Sequence, residues 1–214
     1  WYDREAREAA EFYTSIFPDS AVRYVAKLRD TPSGDSEFVS FELGGQELMA
    51  TSAGPYFKFN PSTSFIVNFD PLFFDPSRSR DKDARDKLDE VWNRLSPGGT
   101  VLMPLDQYPF SERFGWIQDK YGRSWQLLLT RPEGDPRPPI LPALLFVGHN
   151  CGQAEAAINF YRSVFKNSQP GQLMRYGPGQ EPEREGTIMF ADFRLENLWF
   201  AAMDSGREHD FAFN

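Results

Sequence analysis

Residues 9–20 read AAEFYTSIFPDS, and residues 157–168 read AINFYRSVFKNS. The shared positions include Phe12/Phe160, Tyr13/Tyr161, Ser15/Ser163, Phe17/Phe165 and Ser20/Ser168. Both stretches carry apolar residues at helical spacing. In the first these are Ala6, Ala9, Ala10, Tyr13, Ile16 and Phe17. In the second they are Ala154, Ala157, Ile158, Tyr161, Val164 and Phe165, at the same offsets. Two helices are therefore expected, at 4–17 and 154–165, burying the same stripe.

The likeness continues downstream in the same order. FELGGQELMATSAG from Phe41 aligns without a gap to FRLENLWFAAMDSG from Phe193. Phe57-Lys58-Phe59-Asn60 returns as Phe211-Ala212-Phe213-Asn214. Agreement at three successive places points to duplication of one cassette. Between the copies the pattern repeats once more. Residues 64–69 (SFIVNF) read as a strand, and residues 83–95 place Ala84, Leu88, Val91, Trp92 and Leu95 on one helical face. Ser96-Pro97-Gly98-Gly99 stops that helix, and strands are expected at 100–105, 115–119 and 124–129. The first segment has the same order, with strands near 22–28, 38–43 and 47–51. The fold class is α+β, built from tandem βαβββ modules.

Residues 1–131 are expected to form a domain of two modules. Residues 132–142 are Pro-rich and read as a semi-rigid spacer. Residues 143–214 are expected to be the first half of a second, incomplete domain. A lone sheet of that size would expose a large apolar face. The third module should therefore pair with another subunit, or native residues should lie beyond both Trp1 and Asn214. The Pro- and charge-rich stretch 75–83 reads as a surface insertion.

Composition narrows the function. The formal charge is −8, which argues against nucleic acid as a partner. No apolar run approaches the roughly 18 residues of a membrane span. Cys151 is the only cysteine, so no intrachain disulfide forms, and a cytoplasmic location is expected. His149 lies two residues away, but neighbours on a loop rarely make a nucleophile–base pair. His149 and His209 read as surface histidines, and Asp119 and Lys120 as a solvated turn before Tyr121-Gly122.

The segments AEFYTSIFPDS, FELGGQELMA, the Phe-Asn-Pro-Ser-x-Ser-Phe stretch at 59–65 and GWIQDKYGRSWQLLL at 115–129 resemble one family. They are similar to the PhnB-like branch of the glyoxalase/bleomycin-resistance (vicinal oxygen chelate) superfamily, a branch often named 3-demethylubiquinone-9 3-methyltransferase. The resemblance implies paired modules that form curved mixed sheets around a cleft. It also implies a homodimer. Metal enzymes of the superfamily place His, Glu or Gln on the first and last strands of each module. The matching positions here are Gln126, Thr63 or Ser64, and Ala50 or Thr51; the strand at 143–147 (ALLFV) offers no ligand. Gln126 with hydroxyls is too weak a donor set for Zn, Ni or Fe, which need several imidazoles or carboxylates. No metal and no cofactor are expected.

The cleft lining is expected to include Gln126, Trp116, Phe41, Met49, Phe65 and Ser64. Gln126 alternates with Trp125 and Leu127, so it faces the other side of the sheet. If buried, its amide must find partners, whether structural groups, water or a ligand. The sequence carries no Gly-rich strand–turn–helix for S-adenosylmethionine. The functional expectation is a metal-independent small-molecule-binding protein whose catalytic residues, if any, are unknown. The alternative is an enzyme of the same superfamily, including the methyl transfer in the family name.

Overall fold

The computed structural model describes residues 1–32, 34–70, 80–131 and 137–213. Most of the insertion expected at 75–83, the spacer residues 132–136 and Asn214 lie outside the described residues. The chain divides into two compact units. The first comprises residues 1–59, 68–123 and 127–134, and the second residues 60–67, 124–126 and 135–214.

In the first unit, helix α1 (Ala6–Ile16) leads into strands β1 (Ala21–Thr31), β2 (Gly34–Leu43) and β3 (Gln46–Ser52). These strands form an antiparallel sheet in the order β1-β2-β3. Tyr2 makes an isolated parallel bridge to Ser52, where an opening strand belongs. Helix α2 (Arg80–Leu95) and the antiparallel pair β5 (Thr100–Tyr108) and β6 (Ser111–Gln118) also belong here. Strands β4 (Thr63–Phe69) and β7 (Ser124–Leu129) contribute residues to both units.

The second unit adds β8 (Ile140–Phe146), helix α3 (Ala154–Val164), β9 (Gln169–Arg175), β10 (Ile188–Leu195) and β11 (Leu198–Asp204). Its strands lie in the order β7-β4-β8-β11-β10-β9. The β11–β8 pair is parallel, whereas β4–β8, β10–β11 and β9–β10 are antiparallel, so the sheet is mixed. The expected cassette order, strand, helix and three strands, recurs as β4-α2-β5-β6-β7 and β8-α3-β9-β10-β11. Strand β8 begins at Ile140, inside the stretch read as spacer. Ile140, Leu141 and Ala143 are all buried, and that burial draws the end of the Pro-rich segment into the sheet.

The two copied helices obey the same local rules. Neither carries a side-chain cap of its own. The last strand of each cassette supplies one instead: Ser52 Oγ accepts from Ala6 N at 3.0 Å, and Asp204 Oδ1 accepts from Ala154 N at 3.2 Å. Both helices stop at a Phe in extended conformation, whose N–H donates to a tyrosine carbonyl four residues back. The β2–β3 turn puts Gly44 and Gly45 at positive φ, as a two-residue hairpin with primed-turn geometry requires.

Burial of the two stripes differs, which corrects the sequence expectation. Ala6, Ala9, Ala10, Tyr13, Ile16 and Phe17 are all buried. In the copy, Ala154 and Ile158 are buried, but Val164 and Phe165 are 58% and 44% exposed. Within the first unit Arg94 reaches the C-terminal end of α1, donating to the Ser15 carbonyl and hydroxyl at 2.5 and 2.8 Å. The Tyr121 ring stands 5.7 Å from Phe12. Phe160, the counterpart of Phe12, is exposed. Fully burying a Val or Phe side chain is worth about 1.5–3 kcal/mol, roughly half of which Val164 and Phe165 forgo.

Candidate functional site

Cross-strand partners point to the same face of a sheet, so the register locates the site. In the second unit Ser64 pairs with Ala143, Ala143 with Ala201, and Ala201 with Asp192. These four residues form one row across β4, β8, β11 and β10. The residues that alternate with them face α3: Phe146, Ala191, Phe193 and Ala202 pack with Ala154 and Ile158. The row therefore lies on the face turned away from the helix. Its middle is a floor of small side chains, Ser64, Ala143 and Ala201, each almost wholly buried.

One end of the row is an amide. Gln126, 6% exposed, donates from Nε2 to Ser64 Oγ at 2.8 Å. Its carbonyl oxygen accepts no hydrogen bond among the described residues and is not one of the fully buried unpaired atoms. Turning the amide over would free the N–H₂ instead, so one side of the group stays unmatched in either orientation. Ser62 lies in the turn that leads into β4; its hydroxyl is fully buried and makes no hydrogen bond among the described residues.

The other end is an ion pair. Arg137 Nε donates to Asp192 Oδ2 at 2.7 Å, and Gln172 N donates to Oδ1 at 2.6 Å. The Arg137 guanidinium lies 4.0 Å from the centre of the Trp199 ring. Close approach of β9 makes this possible: a Cβ on Gly171 would sit 1.7 Å from Asp192 Oδ1, so only glycine fits. Trp199 and its cross-strand partner Arg194 share the face of the row, and Arg194 Nε is buried without a hydrogen bond among the described residues.

Of the six residues expected in the cleft, the structure brings Gln126 and Ser64 into contact. Phe65 lies on the opposite face, its ring 5.3 Å from that of Trp125. Phe41, Met49 and Trp116 belong to the first unit. Phe41 and Trp116 are buried there, whereas Met49 is 69% exposed. Phe41 pairs with Leu48 and Met49 with Ser40, so Phe41 and Met49 occupy opposite faces of the β1-β2-β3 sheet. Sequence reasoning missed Ser62, Asp192, Arg137 and Trp199. One signal was legible: Asp192 interrupts the apolar run Ile188-Met-Phe-Ala-Asp-Phe.

The first unit holds a second polar cluster. Asp119, read as part of a solvated turn, is 4% exposed. Its carboxylate accepts from Tyr13 Oη at 2.8 Å and from the backbone N–H of Tyr121 and Arg123 at 2.9 and 3.0 Å. The Asp-Lys-Tyr-Gly-Arg turn closes on Gly122 at positive φ, and the aspartate's bonds to its own turn aim it inward. Lys120 is exposed, as expected. Tyr2 packs on Phe59 and on the Tyr13 hydroxyl. Burial lifts the Tyr2 phenol to about 12 and the Tyr13 phenol well above its ordinary range, and lowers the Arg123 guanidinium. A raised phenol pKa means that the unfolded chain ionises first. Stability is therefore whole below pH 10 and falls as pH rises towards 12, by about 2–3 kcal/mol for Tyr2 alone. Urea melts between pH 9 and 12, compared with those of Tyr2→Phe, check this; the variant should lose less.

The remaining candidates are peripheral. His149 sits exposed on a short 3₁₀ turn, Gly148–Asn150. His209 Nε2 lies 3.0 Å from Ser205 Oγ, and burial lowers its pKa. Cys151 is buried, with its thiol pushed up chiefly by that burial, the opposite of an activated nucleophile. A groove of about 50 Å³ between α3 and β9 has room for little more than water. Among the described residues, no three His, Cys, Asp or Glu side chains converge, and no helix is long and apolar enough to cross a membrane.

A sheet-and-helix cassette repeated in this order, with a polar row on the face away from the helix, defines a glyoxalase-like protein. The match to glyoxalase I from Zea mays supports that fold: TM-score 0.58 at 13% identity, covering 99% of this chain and 66% of that one. The model of the 3-demethylubiquinone-9 3-methyltransferase family matches residues 1–128 and 138–214, and the chain belongs to that family, the PhnB-like branch of the glyoxalase superfamily. A putative 3-demethylubiquinone-9 3-methyltransferase, PhnB protein, from Bacillus cereus is 33% identical over 60% of this chain and 94% of its own, with a TM-score of 0.49. No curated protein matches the chain.

Proposed function

We propose that the chain is a metal-independent small-molecule-binding protein whose ligand lies on the face of β7, β4, β8, β11 and β10 turned away from α3. One observation carries this reading. The strands that hold metal ligands in the superfamily's metal enzymes here present Gln126, Ser64, Ala143 and Ala201 along a buried row. Amide, hydroxyl and methyl groups are poor ligands for Zn, Ni or Fe. The row's one carboxylate, Asp192, is already held by Arg137. A floor of small residues between two polar ends suits an organic ligand, which takes orientation from a few fixed polar groups. Self-association and a cytoplasmic location complete the reading, supported by the exposed Phe160, Val164 and Phe165 and by the single buried cysteine.

A thermal-shift screen of the metal-stripped chain tests it, with Zn²⁺, Ni²⁺, Fe²⁺, S-adenosylmethionine and a set of small aromatic compounds. A ligand at 100 times its Kd adds about 2.7 kcal/mol, which for a chain of this size raises Tm by roughly 5–10 °C. An aromatic compound should produce such a shift, and the metals should not. Stoichiometric metal binding that Gln126→Ala abolishes would overturn the proposal. A comparable shift with S-adenosylmethionine would instead favour the methyl transfer in the family's name.

A further inference from the structure

We propose that the groove between α3 and β9 is a separate binding site, which takes a short-chain monocarboxylate on Arg162. Arg162 lines the groove, and its Nε is buried without a hydrogen bond. Among the described residues its guanidinium makes neither a hydrogen bond nor an ion pair. Burying a charged N–H and leaving it unmade costs its full desolvation, more than for a neutral group. Asn159 stands three residues earlier, on the same side of the helix, and also lines the groove. Its exposed amide has no partner among the described residues either. The two acids of the lining are matched. Glu155 accepts from Arg175 at 2.6 and 3.0 Å, and Asp192 is held by Arg137 and the Gln172 N–H. Arg162 is therefore the surplus cation of the groove. The first copy has no such surplus. The helix alignment puts Arg7, Glu11 and Thr14 at the places of Glu155, Asn159 and Arg162. There Arg7 pairs with Glu11 at 2.8 Å, and the Thr14 hydroxyl donates to the Glu11 carbonyl at 3.1 Å. The cassette does not require an unpaired cation at this place, and only the second copy carries one.

The chemistry of the occupant follows from these groups. An arginine meets a carboxylate through a planar fork of N–H donors, a match that no neutral acceptor equals. One surplus positive charge calls for a monoanion. A phosphate group, at about −1.5 to −2 near neutral pH, would bring excess charge beside Glu155 and Asp192. Size points the same way. A groove of about 50 Å³ admits a three-atom carboxylate, itself little larger than water, with a short chain and no ring. Ile158, Leu173 and Phe193 line the rest of it, an apolar wall that suits a hydrocarbon tail.

Sodium propionate, 1-propanol, sodium phosphate and sodium chloride test this on the whole chain. Binding is read by ligand-observed NMR and by the Arg162 Nε–Hε signal in nitrogen–proton correlation spectra, which Arg162→Gln identifies by its loss. Propionate should move that signal to saturation and bind about tenfold more tightly than 1-propanol, the effect of one charge-assisted hydrogen bond. Phosphate should bind more weakly than propionate. Arg162→Gln gives up no ion pair, so the variant should fold normally and bind propionate about tenfold more weakly. Arg162→Lys keeps the charge without the fork and should recover only part of that loss; if the glutamine variant fails to fold, the lysine variant decides. A shift that chloride reproduces at equal ionic strength, binding that survives both substitutions, or phosphate binding more tightly than propionate would overturn the site. So would a blocked tripeptide with a central glutamate that binds more tightly than propionate, which would assign the groove to an acidic protein segment. None of these outcomes bears on the row at Gln126, so this site and the binding face stand or fall separately.

Discussion

Asp204→Ala is expected to lower the unfolding free energy by about 3–5 kcal/mol, read as a fall in the urea midpoint. The carboxylate is 2% exposed and accepts three backbone N–H groups. Two of them, Gly152 at 2.7 Å and Ala154 at 3.2 Å, lie at the start of α3; the third, Ile188 at 2.9 Å, opens β10. Alanine leaves those donors without their acceptor, each costing about 1–3 kcal/mol where it stays buried. It also removes a negative charge from a helix N-terminus, where the peptide dipoles favour it. The repeat supplies an internal control. Ser52 holds the same place in the first cassette but, among the described residues, its hydroxyl accepts only the Ala6 N–H. Ser52→Ala should therefore cost about 1 kcal/mol, the usual worth of a cap. Equal losses at the two positions would mean that the extra bonds of Asp204 contribute nothing.

Asp119→Ala should be nearly as damaging, at about 3–4 kcal/mol, because it strips one acceptor from three donors at once. Tyr13, Tyr121 and Arg123 all direct hydrogen bonds at that carboxylate. The loss leaves the buried Tyr13 hydroxyl without its acceptor and the Asp119–Arg123 turn without its internal support. Asp119→Asn keeps an oxygen for the backbone donors and should lose about half as much. Tyr13→Phe in the alanine background separates the terms: if the hydroxyl matters, the double variant should be more stable than Asp119→Ala alone. Chemical denaturation of the wild type, Asp119→Ala, Tyr13→Phe and the double variant at pH 7 closes the cycle.

The repeat was legible because helix and strand periods survive in residue types. Ala6 and Ala154, Tyr13 and Tyr161, and the Phe residues that end each helix occupy matching places in both copies, and α1 and α3 have the same lengths and stops. Gln126 was legible too, as a polar residue alternating with Trp125 and Leu127 in a strand with no exposed position. Ser64 followed from the family pattern. Other parts of the site were hidden. Asp192 and Arg137 are 55 residues apart and meet only through the pairing of β8, β11 and β10. Ser62 looks like any turn serine until β4 and β8 pair and bury it. Asp119 has the sequence of a surface turn, and no local rule tells an aspartate bonded to its own turn from one that also holds a buried tyrosine.

What the amino-acid order determined alone is the cassette: which segments become helices and strands, where they stop, and which side chains share a face. Those depend on interactions within a few residues, and the same short-range preferences act on each copy. Tertiary structure decided which of the equivalent faces is covered. Ile16 and Phe17 are buried whereas Val164 and Phe165 are exposed, although both pairs occupy the same place in the same stripe. Burial is a property of two surfaces, and a sequence period describes only one of them.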